Sequence, residues 1–141
     1  MQSFLTSVFV PTYGLLLVGL SDHTGMKVLV TGASGLLGRA VMQTCVRAGH
    51  HVVGLAFSRA SDAIQQLDLT DADAVYDVVR REHPEVVINL AAERRPDVVE
   101  QNPDAVKKLN VEAPAVLAKA CRELDPPASV SYTHLTLPTK A

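Results

Sequence analysis

Cysteine is scarce in this chain: Cys45 and Cys121 are the only two among 141 residues. Both lie in stretches with helical spacing and neither has a CxxC partner, which excludes a disulfide scaffold and a zinc knuckle as the organising device. They read as small buried apolar residues of a reducing compartment, and a cytoplasmic location is expected. The five histidines, His23, His50, His51, His83 and His134, share no metal-ligand spacing, and no Ser-His-Asp or Cys-His grouping is present. A surplus of one charge is missing too. Thirteen basic and fifteen acidic residues leave a net charge of −2, which offers no electrostatic grip on nucleic acid or on an anionic membrane. Basic residues are absent before Lys27, so the apolar stretch Phe4 to Leu20 lacks the charged start of a secretory signal. Pro11, Gly14 and Gly19 interrupt that stretch as a helix, and no membrane span is expected from it. Residues 1–25 therefore read as an extension outside the fold, with a targeting or anchoring segment as the alternative.

What remains is ordinary for one globular domain, with 48% apolar and 20% charged residues. From Met26 the pattern becomes regular. Lys27 to Val30 is a short β-branched run that ends at Gly32, the signature of a buried strand leading into a tight turn. Leu36 to Ala48 follows helical spacing, with Leu37, Ala40, Val41, Thr44, Cys45 and Ala48 as the expected inner stripe and Gly49 just past its end. His51 to Phe57 reads as a second strand and Ile64 to Leu69 as a weaker third. Thr70 is placed to cap a helix from Asp71 to about His83, which Pro84 stops. Glu85 to Ala92 is the fourth strand. A polar loop from Glu93 to Asn102 then leads to a helix from Pro103 to about Leu124, bent near Pro114 and ended by Pro126-Pro127.

Strands alternating with helices in this order predict an α/β fold with a doubly wound parallel sheet of the Rossmann type. Right-handed crossovers give it the strand order 3-2-1-4. The domain is expected to occupy residues 26–125. A fifth apolar strand should follow, but residues 126–141 show no convincing strand or helical period and read as an irregular, non-native tail.

Thr31-Gly32-Ala33-Ser34-Gly35-Leu36-Leu37-Gly38 carries the sharpest chemical signal. Gly32 permits the turn off the strand, Gly35 lets a diphosphate approach the backbone, and Gly38 lets the helix pack closely. Free amides at the helix start and its positive dipole end then bind phosphate. The loop follows a strand and opens an amphipathic helix, the context that separates a dinucleotide site from a structural turn. Cofactor choice is read about 20 residues further on, where an acidic residue favours NAD. Phe57-Ser58-Arg59 stands there instead, so Arg59 and Ser58 can hold a ribose phosphate and NADP is expected, with NAD the lesser candidate. Asp62 nearby argues the other way. Asp68 and Leu69 close the third strand where a carboxylate and an apolar side chain can flank adenine. Leu90 and Arg94 lie at the carboxyl edge of the fourth, where ligands of open α/β sheets bind. Asn110 reads as an exposed amide.

Val28 to Val41, Ala91 to Glu100 and Leu109-Asn110-Val111 together resemble the extended short-chain dehydrogenase/reductase family. Within it they are most similar to the branch of methionine adenosyltransferase regulatory beta subunits and dTDP-4-dehydrorhamnose reductases. The resemblance runs from Met26 to Leu124. It implies NADP along the sheet edge, with Ser34, Gly35, Leu36 and Leu37 on the pyrophosphate. Phe57, Ser58 and Arg59 would meet the adenosine phosphate end, Asp68 and Leu69 the adenine, and Leu90 and Arg94 the length of the cofactor. It also implies a partner, the catalytic subunit of a methionine adenosyltransferase, and a role in S-adenosylmethionine biosynthesis. The alternative is a truncated NADP-dependent sugar-nucleotide reductase. Members of the family carry a Tyr-x-x-x-Lys pair, whose lysine lowers the phenol pKa. None of Tyr13, Tyr76 and Tyr132 has a lysine four residues on, so this chain is not expected to catalyse hydride transfer.

Overall fold

The computed structural model describes residues 5–10, 14–19 and 25–132. Strands β1 (Leu5–Val10) and β2 (Gly14–Gly19) pair antiparallel as a two-stranded sheet of their own. The remaining elements are β3 (Lys27–Thr31), α1 (Leu36–Arg47), β4 (His51–Ala56), β5 (Ile64–Gln66), α2 (Ala72–Glu82), β6 (Val86–Asn89), α3 (Pro96–Gln101), α4 (Pro103–Lys107), α5 (Ala113–Arg122) and β7 (Ser129–Tyr132). One π-helical turn, Lys108–Glu112, joins α4 to α5. Strands β5-β4-β3-β6-β7 form one parallel sheet, which counted from Lys27 is the order 3-2-1-4-5. The expected doubly wound sheet and its first four positions are borne out. No helix among the described residues is long and apolar enough to cross a membrane.

The fifth strand corrects the reading of an irregular tail from residue 126. The chain turns back after α5, the Ala128 N–H bonds the Cys121 carbonyl, and Ser129 bonds the Glu85 carbonyl at 3.0 Å to enter the sheet beside β6. Only Val130 of this strand packs against the core, so no apolar alternation marked it. Residues 133–141 lie outside the described residues.

Alternation in the strands sorts the core into two faces. Leu29, Val53, Leu55 and Val87 meet α2 and α5 through Val75, Val78, Val79, Leu117 and Cys121. Val28, Val30, Val86 and Ile88 point the other way, towards α1 and Cys45. Burial on both sides explains why β3 and β6 are continuous apolar runs. The inner stripe of α1 is Leu37, Gly38, Val41, Met42 and Cys45; Ala40, Thr44 and Ala48 are exposed, a correction of less than half a helical turn. The Thr44 hydroxyl donates to the Ala40 carbonyl instead of facing the sheet. Both thiols are buried, and desolvation pushes each above its ordinary 9.0, Cys121 to about 11.

Three local expectations change. Asp71, not Thr70, caps α2, its carboxylate accepting the Ala74 N–H at 3.1 Å. The polar loop at Glu93 to Asn102 contains α3, started by Pro96 at its first position. The long helix from Pro103 is continuous to Arg122 but carries a π turn just before Pro114, which has no N–H to return to the residue four before it.

Residue His83 ends α2 in the left-handed conformation, φ 46°, with its N–H on the Val79 carbonyl at 2.9 Å. That conformation costs a non-glycine residue about 1–2 kcal/mol, of which glycine's freer unfolded chain takes back about 0.4–1. His83→Gly should therefore raise stability by roughly 0.5–1 kcal/mol, seen as a higher urea midpoint at unchanged slope. An ion pair joins the end of the same helix to the central strand, Lys27 Nζ to Glu82 Oε2 at 3.0 Å. The Lys27 ammonium, with help from Arg81 and Gln65, holds the Glu82 carboxyl down to about 2 from its ordinary 4.5. A carboxylate that titrates lower when folded stabilises the fold above its unfolded pKa and loses that contribution as pH falls towards the folded one. The stability of wild type should thus decline between about pH 4.5 and pH 2 more steeply than that of Glu82→Gln, in urea titrations across that window.

Candidate functional site

Three strand exits and one helix start converge on the carboxyl edge of the sheet. Strand β3 ends at Thr31, whose side chain is fully buried. Its hydroxyl donates to the Asn89 side-chain oxygen and accepts the N–H groups of Leu90 at 3.1 Å and Ala91 at 3.3 Å. The exit of β6 is thereby held against the exit of β3. Gly32 follows with φ +65°, and a methyl group there would lie 2.9 Å from both the Ala91 nitrogen and the Leu90 carbonyl carbon. Only glycine fits this turn. The loop is then tied to β4 by Ala33 N–H on the Leu55 carbonyl, 3.0 Å.

Helix α1 begins with Gly35 at its N-cap, in extended conformation, with no side-chain cap and no acidic residue in the first turn. The first N–H to bond back is that of Arg39, to the Gly35 carbonyl at 3.0 Å. The amides of Leu36, Leu37 and Gly38 have no protein acceptor among the described residues, and the positive end of the helix dipole adds to them. Uncapped amides at a helix start are able to bind an anion. Gly38 places them, since a methyl there would sit 2.1 Å from the Gly32 carbonyl oxygen and push the helix off the loop. A methyl at Gly35 would meet only that same oxygen, at 3.3 Å. That contact is tight but far milder than those at Gly32 and Gly38.

The cleft beside these amides has a volume of about 510 Å³, within the range of small-molecule sites. Of the residues marked in the sequence, Gly32, Ser34, Gly35, Phe57, Ser58, Arg59, Asp68, Leu69 and Leu90 line it. Leu36, Leu37, Gly38 and Arg94 do not. Leu36 stands 93% exposed, Leu37 packs on the core of the α1 face, and Gly38 lies beneath the loop. Arg94 is exposed beyond the rim. The cleft also takes in Leu55, Ala56, Leu67, Thr70, Ala91, Ala92, Glu93, Ala105 and Leu109. Ala91 and Ala92 were legible as small residues that leave room at a strand end. Ala105 and Leu109 carried no such signal, because their place in the cleft depends on how α4 and the π turn pack, which no local pattern reports.

Charge is unevenly placed. Arg59 sits at one end with φ 57°, and no carboxylate pairs with it among the described residues, Asp62 included. The left-handed backbone is a strain of the kind found at ligand sites. Asp68 spends one carboxylate oxygen on its own turn, accepting the Thr70 N–H at 2.9 Å and the Thr70 hydroxyl at 2.7 Å. At the other end Glu93 takes the Arg95 guanidinium on both oxygens, at 3.0 and 2.8 Å. That pairing, backed by the Arg95 and Arg94 amides, holds the Glu93 carboxyl down to about 2. Asn110 is half-buried rather than exposed. Its oxygen accepts the Glu93 N–H and its amide donates to the Glu93 carbonyl, both at 2.9 Å.

Comparison with known proteins follows the same ground. Residues 26–128 match the family described as RmlD substrate binding domain. The chain belongs to the RmlD-like branch of the extended short-chain dehydrogenase/reductase family. The resemblance read from the glycine loop and the strand edge is thereby borne out. Among curated relatives, methionine adenosyltransferase 2 subunit beta of Pongo abelii is 50% identical over 93 residues, 66% of this chain and 28% of that protein. Among solved structures, a hypothetical dTDP-4-dehydrorhamnose reductase of Sulfolobus tokodaii matches with a TM-score of 0.69 and 30% identity, over 76% of this chain and 38% of that one. The UDP-glucose 4-epimerase of Thermus thermophilus, solved as a complex with NAD, matches with a TM-score of 0.62 and 27% identity, over 69% and 34% of the two chains. This RmlD-like chain thus spans less than a third of the length of the curated subunit it matches.

Because Thr31 bonds three groups from a fully buried position, Thr31→Val should leave two N–H groups without an acceptor. The expected loss is about 1–3 kcal/mol of stability, with most of it restored in Thr31→Ser, measured as urea-unfolding free energies of the two variants.

Proposed function

We propose that this chain holds a nicotinamide dinucleotide in the cleft, with its diphosphate on the amides of Leu36 to Gly38. The observation that carries the reading is the uncapped start of α1 at Gly35, where no side chain covers the free amides. The phosphorylated form, NADP, is the favoured ligand. Arg59 lines the cleft and has no carboxylate partner among the described residues, Ser58 adjoins it as a donor, and no acidic residue stands at the end of β4 to receive free ribose hydroxyls. Asp68, Leu69 and Leu90 line the cleft; in this reading the first two would flank adenine and Leu90 would lie along the cofactor. When bound, the dinucleotide would supply a hydride-carrying ring, and the residues of this chain would bind and orient it.

At the level of the whole protein, the favoured role is that of a regulatory subunit that binds the catalytic subunit of a methionine adenosyltransferase in S-adenosylmethionine biosynthesis. Half-identity to the beta subunit over the cleft-forming region supports it. A second reading, an NADP-dependent sugar-nucleotide reductase, is favoured by the likeness to the Sulfolobus tokodaii structure. Within these 141 residues no tyrosine has a lysine four positions on, so no proton donor of the reductase type is supplied here.

Fluorescence titration tests the ligand. NADPH should bind more tightly than NADH, and Arg59→Ala should cut the difference by about tenfold, the worth of one charge-assisted hydrogen bond. Equal wild-type affinities would overturn the NADP assignment. Co-purification with a methionine adenosyltransferase catalytic subunit, set against turnover of a deoxysugar nucleotide, separates the two roles.

A further inference from the structure

The loop that carries Arg59 is fastened at both of its ends. Residues 57–63 leave β4 and return to β5, and among them Phe57, Ser58 and Arg59 line the cleft. At the far end Ser61 and Ile64 exchange two main-chain hydrogen bonds, the Ser61 N–H on the Ile64 carbonyl at 2.9 Å and the Ile64 N–H on the Ser61 carbonyl at 3.0 Å. They close a tight turn with Asp62 and Ala63 at its centre. The Gly54 N–H donates to the Ala63 carbonyl at 3.2 Å and lays that turn on β4. At the near end the last β4–β5 pair is Ala56 with Gln66, and the Leu67 N–H bonds the Ala56 carbonyl at 2.9 Å. Past that point a side chain takes over: Gln66 Nε2 donates to the Phe57 carbonyl at 3.2 Å. Arg59 lies midway between Phe57 and Ser61, in the left-handed conformation. The neighbouring glutamine is used elsewhere. Successive side chains of a strand point to opposite faces; Gln65 accepts the Arg81 guanidinium at 2.6 Å, and Gln66 serves the β4 exit.

We propose that Gln66 is a positioning residue for cofactor choice: by holding the Phe57 carbonyl it fixes where Arg59 meets the ribose phosphate of the proposed dinucleotide. The inference rests on the NADP reading above. A carboxamide suits the place. It donates to a carbonyl while remaining neutral, so it leaves the phosphate charge to Arg59, whereas a carboxylate could not donate at all. Without this bond, residues 57–60 would keep only the fastening at Ser61. An arginine carried on a chain with more conformations loses more entropy when it pairs with a phosphate. That pairing weakens, while contacts to the rest of the ligand are kept. Gln66 is exposed, so its effect on cofactor choice is separable from the stability of the sheet.

Four variants of the full chain test this: Gln66→Met, which keeps the length and loses the donor, Gln66→Glu, Arg59→Ala, and Gln66→Met combined with Arg59→Ala. Each is titrated with NADPH and with NADH by fluorescence, and melted without ligand. Gln66→Met should weaken NADPH about threefold, the worth of one exposed neutral hydrogen bond, and leave NADH as in wild type. Gln66→Glu should weaken NADPH further, because it also brings a negative charge towards the ribose phosphate. In the Arg59→Ala background, Gln66→Met should leave the ratio of the two affinities unchanged, since the residue acts only through Arg59. Melting temperatures should stay close to that of wild type in the Gln66 variants. An equal loss for both ligands, or the same loss with and without Arg59, would overturn the proposal and make Gln66 a structural part of the β5 edge. A wild-type ratio in both Gln66 variants would also overturn it, and would leave the NADP reading standing. A wild-type chain that binds NADPH and NADH equally would overturn the NADP reading, and one that binds neither would overturn the dinucleotide reading; the proposal falls with either.

Discussion

The site depends on how the exits of β3 and β6 are joined, where the parallel ladder between the two strands ends and one buried hydroxyl ties the chain just beyond it. Thr31 receives the N–H groups of Leu90 and Ala91, just past β6, and donates to Asn89, so the two exits stay tied beyond the last pair of the ladder. Gly32 can turn only because nothing extends from it towards Ala91. Were the seam to open, the loop that carries Gly35 would lose its floor and the start of α1 would lose its position over the cleft. Buried polar groups that are fully satisfied in this way specify one arrangement, because each alternative strands a donor or an acceptor.

Above that seam the electrostatics have a direction. Unused amides and the dipole of α1 lie in the middle, an unpaired Arg59 at one end, and at the other a carboxylate already matched by Arg95. The proposed dinucleotide, with several negative charges, would find its partners in the middle and at the Arg59 end. The Glu93–Arg95 pair neither adds nor removes net charge where the neutral portion of such a ligand would lie. An exposed ion pair contributes little to overall stability.

Much of this was legible residue by residue. The central strands β3, β4 and β6 are buried on both faces and so appear as apolar runs, and α1 and α2 announce themselves by helical spacing and terminal residues. The glycine loop could be assigned to a helix start because each glycine answers a separate steric demand, and Gly32 and Gly38 meet those demands in distances below normal contact. Strand β7 stayed hidden because one valine is its whole apolar contribution. Helix α3 stayed hidden because six residues, none of them buried, leave no stripe to read. Asn110 looked like a surface amide, since its partners are main-chain groups that no side-chain pattern reports.

The sequence by itself determined the order of the first four strands of the parallel sheet, the glycine-capped start of α1 and the missing acidic residue at the end of β4, because each follows from periodicity or from one residue's stereochemistry. Tertiary structure alone decided which marked residues share the cleft, that Arg94 and the Leu36 side chain stand outside it, and that Glu93, Ala105 and Leu109 line it. Those placements depend on distances between segments far apart in the chain. They are set in part by the bonds of Thr31 and Asn110, hydrogen bonds to main-chain groups that are the same at every residue and leave no trace in the one-dimensional pattern.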